Sequence, residues 1–282
     1  MKWGQMRQSG NVEDRRGRGP MLPGGPAGLG LGGVLLLLLG SLLFGANPLD
    51  VLNQIQGGAP TQTQEAPAAD DPDSRFVRSV LGDLEDTWSA LFERSGQQYE
   101  PPRLVLYSGA VSSACGSTSS AVGPFYCGRD ARVYLDSTFF DRLAQNFGVS
   151  GDFAAAYVIA HEVGHHVQNL LGIMDQVAAR RARSDPATAN ALSVRLELQA
   201  DCFAGVWGHY ANRRGLLDFG DPEEAIGAAS AIGDDNLQRR SQGYVVPDAF
   251  THGSSEQRVR WFRTGFESGD PERCDTFSVR NP

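Results

Sequence analysis

Apolar residues recur at three- and four-residue steps in several stretches of this chain, and each such stretch predicts a helix with one buried face. Between residues 74 and 95 the stripe is Phe76, Val77, Val80, Leu81, Leu84, Trp88, Leu91 and Phe92. A second helix is expected from Gly151-Asp152 to about Leu171, where Gly172 provides a stop. A third runs over Thr188–Tyr210, with Ala191, Leu192, Leu196, Ala200, Phe203, Ala204 and Trp207 on its apolar face. Asp221-Pro222-Glu223-Glu224 opens another, and Ser254 or Ser255 caps a last one carrying Val259, Trp261, Phe262 and Phe266. A shorter aromatic helical run follows at Phe139–Leu143. Strand signals are few: Arg103–Tyr107 and Arg132–Asp136, with a Gly/Ser/Ala-rich stretch from Ser108 to Asp130 read as a long loop. Asp175–Asp185 reads as a connection whose arginines form a solvated face. The pattern predicts an α+β, mostly helical domain with a small sheet.

The pattern differs before residue 74. Residues 1–26 are polar, Arg-rich, then Gly/Pro-rich, and read as a flexible tail. Residues 27–46 carry no charge, and a helix of that length rises about 30 Å, enough for one bilayer crossing. No clear cleavage site follows, so a retained anchor is expected rather than a cleaved signal. Residues 47–73 read as a solvated tether, leaving 74–282 as the folded domain. Lys2, Arg7, Arg15, Arg16 and Arg18 precede the apolar run, and no cation follows it until Arg75. By the positive-inside rule this predicts a single-pass protein of the cytoplasmic membrane, its N-terminus in the cytoplasm and its domain outside.

Composition narrows the class. Hydrophobic residues make up 41% and charged residues 21%, ordinary for a folded chain. A net charge of −8, with no basic stripe interleaved with aromatics, excludes a nucleic-acid footprint. The four cysteines contain no Cys-x-x-Cys, which disfavours a zinc knuckle. Outside the cytoplasm they pair as Cys115 with Cys127 and Cys202 with Cys274; in a reducing compartment they stay buried thiols.

The chemistry lies in the second long helix. His161-Glu162-x-x-His165 puts two imidazoles one turn apart on one face, where both reach one metal ion, with Glu162 beside them as a general base. His166, about 100° further round, points off that face. A catalytic zinc needs a third protein ligand. In the next helix, Glu197 and Asp201 share a face among apolar neighbours, where an unpaired carboxylate is costly. Ligation by Glu197 offsets that cost, and Asp201 then accepts a hydrogen bond from the far nitrogen of a ligand histidine. The spacing alone also admits Asp201 as the ligand, or an ion pair between a carboxylate and Arg195.

His161-Glu162-x-x-His165 followed by Glu197-x-x-x-Asp201 is similar to the gluzincin pattern of thermolysin-like metallopeptidases. More closely, the chain resembles a bacterial family of neutral zinc metallopeptidases. The resemblance rests on Ser113–Gly116, Gly123–Cys127, Val133–Asp136, Tyr157–Gln168, Glu197–Gly205 and Thr251–Arg258, and covers nearly the whole chain. It implies a zincin-like, membrane-anchored peptidase holding one zinc ion through His161, His165 and Glu197, with Glu162 as base, acting on a protein or peptide. Glu162 would take a proton from a zinc-activated water and deliver it to the leaving nitrogen. The developing oxyanion needs a further donor; His252 is the first candidate, with Tyr134, His209 and Tyr210 behind it. Substrate would add along the strand around Tyr134. Two other classes fit the same motif: a metal-binding but inactive adaptor or inhibitor, and a zinc hydrolase of a cell-envelope amide.

Overall fold

The structure, a computed structural model, describes residues 1–17, 71–119 and 123–282. The expected anchor over 27–46 and all but the end of the tether over 47–73 lie outside these residues. Among the described residues, no helix is long and apolar enough to cross a membrane.

Helix α1 (Pro72–Arg94) begins where Asp71 accepts bonds from the Asp73 and Ser74 amides and Pro72 supplies a preformed first turn. Its predicted stripe is the buried one: Val80, Leu81 and Leu84 are fully enclosed. Strands β1 (Val12–Asp14), β2 (Arg103–Tyr107), β6 (Arg132–Asp136) and β5 (Phe125–Cys127) form one sheet in that spatial order. The β1–β2 and β2–β6 pairs are parallel and β5–β6 is antiparallel. A separate hairpin, β3 (Ala110–Ser113) with β4 (Gly116–Ser119), stands beside it. Helix α2 (Phe139–Phe147) follows β6.

The centre of the molecule is α3 (Asp152–Leu170), buried without a break from Phe153 to Gln168. A helix apolar all round has no solvent face to offer, so every charged group on it needs a partner. It is covered by α1, by α5 (Pro186–Arg213), by α6 (Asp221–Ala231) and by strands β5 and β6. Helix α4 (Ile173–Arg181) links α3 to α5, α7 (Asp234–Gln242) follows α6, and α8 (Ser255–Ser268) lies along α5. A capping box between Ser254 and Gln257 starts α8. Cys115–Cys127 ties the hairpin to β5, and Cys202–Cys274 ties the C-terminal segment to α5.

Several expectations change. Residues 1–17 are no tail: Met6 and Val12 join the main core, and β1 is an outer strand of the sheet. Among the described residues, 1–17 therefore belong to the same folded unit as 71–119 and 123–282. The Ser108–Asp130 loop contains β3, β4 and β5, whose Ser- and Gly-rich sequence lacks an alternating apolar pattern. The connection at 175–185 is largely α4, held by buried Val177. Strand β6, which carries Tyr134, has neighbours on both sides, so the edge nearest α3 is β5 instead.

Candidate metal centre

Helix geometry places His161 and His165 one turn apart with ring centroids 4.8 Å from each other. Gly164, between them, lies where α3 crosses α5: a Cβ there would sit 3.0 Å from the Ala200 carbonyl oxygen. That close crossing sets Ala200's neighbours, Glu197 and Asp201, against the two histidines. His161, His165 and Glu197 each offer one ligand atom, and those atoms lie within 4.8 Å of one another. His161 Nε2 is 3.1 Å and His165 Nε2 3.5 Å from the Glu197 carboxylate.

The far nitrogens are all spoken for. His161 Nδ1 donates to Asp201 Oδ1 at 2.8 Å, and His165 Nδ1 donates to Gln168 Oε1 at 2.8 Å. Gln168 is oriented in turn by bonds from its amide nitrogen to the Leu196 carbonyl (2.7 Å) and to Gln199 Oε1 (3.1 Å). With both protons on the far side, both Nε2 lone pairs and a carboxylate converge on one small volume. Such a set repels itself unless a cation stands among its members, and two imidazoles with one carboxylate are a donor set that zinc takes. The residues present fit the ion. Burial works against the charged form of Glu197, but the two histidines beside it hold its carboxyl well below the ordinary range. Burial pulls His161 down, but Asp201 and Glu197 lift it to about 10.

Asp201 is fully buried and gathers Tyr157 and Arg258 as well as His161. Tyr157 donates to its Oδ1 at 2.6 Å, and Arg258 forks onto it through Nε (2.8 Å) and Nη2 (2.9 Å). The paired Arg258 holds the Asp201 carboxyl down at about 2 in spite of burial, so it stays an acceptor for His161. Arg195 bonds carbonyls of the C-terminal segment, not the carboxylates of its own helix.

Glu162 is buried beside the ligands, and burial raises its pKa above the ordinary carboxyl value. It lines a cavity of about 650 Å³ that also takes in His161, His165, Glu197, His252 and Arg258. His252 enters from the loop before α8. Asp234 at the start of α7 fixes that loop, accepting the Thr251, His252 and Gly253 amides at 2.7, 2.6 and 3.1 Å and facing His252 Nδ1 at 3.2 Å. The bond to Asp234 raises the pKa of His252.

The other donor candidates sit elsewhere. Tyr134 bonds Asp130 and stacks on Phe125, His209 bonds the Phe266 carbonyl, and Tyr210 bonds Arg94. His166 points away from the ligands, bridging the Glu100 carbonyl (2.6 Å) and Tyr126 Oη (3.0 Å). Sequence reasoning assigned no role to Arg258, Gln168 or Asp234. Arg258 left a readable signal, because it shares a helical face with buried Trp261 and Phe262; an arginine there requires a buried anion.

The profile of the family described as "Putative neutral zinc metallopeptidase" matches residues 1–277. The protein YpfJ of Escherichia coli K12, itself uncharacterized, is 48% identical over 285 residues, covering 98% of this chain and 99% of its own. "Uncharacterized protein Rv2575" of Mycobacterium tuberculosis H37Rv is 41% identical over 259 residues, covering 85% of each. No solved structure matches the chain.

Proposed function

We propose, for a chain that belongs to the neutral zinc metallopeptidase family, that it is a zinc-dependent endopeptidase with Glu162 as its general base. The observation that carries this reading is the convergence of His161, His165 and Glu197 in the cavity that also exposes Glu162 and His252. When bound, zinc supplies Lewis acidity for water and for the substrate carbonyl. Glu162 accepts the proton from the attacking water at its carboxylate and passes it to the leaving nitrogen, a shuttle that its raised pKa suits. His252, whose pKa the bond to Asp234 raises, donates in its protonated form to the carbonyl oxygen as charge develops there. Asp201 and Gln168 hold the two imidazoles with Nε2 facing the ligand volume.

The substrate is a peptide in extended form. Phe125 at the free edge of β5 lines the cavity, so a peptide can continue the sheet there by main-chain bonds. Phe139, Leu143, Val158, Ile232 and Leu237 form an apolar wall. The two arginines that line the cavity are already paired, Arg142 with Asp136 and Arg258 with Asp201. That wall suits a large apolar side chain next to the scissile bond. The two disulfides and the lack of free cysteines among the described residues favour an extracytoplasmic setting.

A peptide-library digest by the full chain, beside Glu162→Gln, tests the reading. Cleavage by the unmodified protein alone, with zinc held by both, is the expected result. Zinc held by both and no peptide cut by either contradicts it, and directs attention to an adaptor or to an envelope amide.

A further inference from the structure

The first described segment ends at Gly17 and the next begins at Asp71, and one ion cluster joins these two ends. The buried Arg16 guanidinium bonds Asp14 through Nε at 3.0 Å and Asp71 through Nη1 at 3.3 Å, with Nη2 reaching both carboxylates. Asp71 is also the N-cap of α1, so the clasp is built into the start of that helix.

Behind the clasp, residues 1–17 are locked in by three independent devices. β1 pairs in register with β2, Val12 opposite Leu104 and Asp14 opposite Leu106, and the flanking Arg15 amide bonds the Leu106 carbonyl at 2.8 Å. The Glu85 carboxylate on α1 accepts from Ser9 Oγ (2.6 Å), Asn11 Nδ2 (2.8 Å) and Arg7 Nη2 (2.8 Å). Gly82 on the same helix is a notch: a Cβ there would lie 2.1 Å from the Arg7 carbonyl oxygen. An ion cluster around a buried guanidinium, a ladder and a backbone-sized notch are features of a domain interior.

A segment fastened at both ends to one point crosses a bilayer an even number of times, zero included. The charge-free stretch 27–46 is long enough for one helical crossing only. One crossing would put β1 and β2 on opposite faces of a hydrocarbon layer about 30 Å thick, while the sheet needs them about 4.8 Å apart. The two arrangements exclude each other. We infer that residues 1–17 and the folded residues from 71 onward share one aqueous compartment, because the sheet and the ion cluster that join them do not form across a bilayer. The positive-inside pattern then reads differently: Arg7, Arg15 and Arg16 are cations committed to Asp86, Glu13 and Asp14, not markers of a cytoplasmic tail.

Sidedness labelling tests this independently of any activity, so its failure is separate from failure of the peptidase reading. Gln8 and Ser241 are exposed, and the four native cysteines are paired. Gln8→Cys and Ser241→Cys, each introduced singly into the full chain in bacterial membranes, are exposed to a membrane-impermeant maleimide before and after lysis. The expected result is the same accessibility for both positions, their intact-to-lysed labelling ratios agreeing within about twofold. One position labelled in intact cells and the other only after lysis overturns the inference. A second arm checks docking itself: trypsin acting on the purified full chain should cut at Arg7, Arg15 and Arg16 at least about tenfold more slowly than in Gly82→Leu, which fills the notch. Equal cutting of both proteins would overturn it too.

Discussion

At the scale of single residues, the site separates groups that hold the ion from groups that move protons. Glu162→Gln keeps the shape of the cavity and removes the base. Its kcat is expected to fall by ~10²–10⁴-fold with zinc content unchanged, and retained activity would remove Glu162 from the mechanism. Arg258 and Asp201 are buried as a pair, so Arg258→Met leaves an unpaired carboxylate behind. That variant should lose about 3–5 kcal/mol of stability and bind zinc ~10–100-fold more weakly, read as a denaturant midpoint and a chelator competition. An unchanged midpoint would mean that the pair is not the anchor of His161. For His252 the sign follows from Asp234. Asp234 raises its pKa, while Glu197 pushes the same way and Arg258 the other. The protonated donor is present at low pH and lost as pH rises through that raised value. Asp234→Asn therefore moves the basic limb of the kcat/KM profile to lower pH; an unmoved limb would take His252 out of the donor role.

At the scale of elements, stability and legibility follow the same division. The Cys202–Cys274 bridge closes a loop of sequence separation 72, so replacing both cysteines by serine should cost about 4 kcal/mol in the chain-entropy account. A melting temperature unchanged within error would contradict that. Helices α1, α3, α5 and α8 were readable because each repeats an apolar stripe over several turns, though α1 and α5 start two or more residues earlier than expected, at the Asp71 and Asp185 caps. The hairpin β3–β4 was not, because its cross-strand partners are serines such as Ser112 and Ser117, which signal a loop. Strand β1 was hidden for another reason. Arg7 reaches Glu85 on α1 and Arg16 reaches Asp71 at its N-cap, and no local pattern reports a partner so distant in sequence. The His161–His165 pair of the candidate metal centre was readable because helical spacing alone brings the two together. The clasp of Arg258 on Asp201 needed the packing of α8 on α5, which spacing does not give.

At the scale of the molecule, one fully buried helix, α3, presents two histidines and a glutamate to a single cavity, and the surrounding elements supply what those groups lack. Helix α5 brings a carboxylate ligand and an acceptor, α8 brings the cation that keeps the acceptor charged, and β5 brings a free edge beside the opening. The proposed function rests on the convergence of three lone-pair donors on one small volume. The measurement that tests it most directly is zinc stoichiometry on the purified full chain after dialysis against a weak chelator. One zinc per chain, lost in His165→Ala and in Glu197→Ala but kept in Glu162→Gln, is the predicted result. A chain that folds with both disulfides formed and holds no zinc, or holds it equally well without Glu197, would contradict the account.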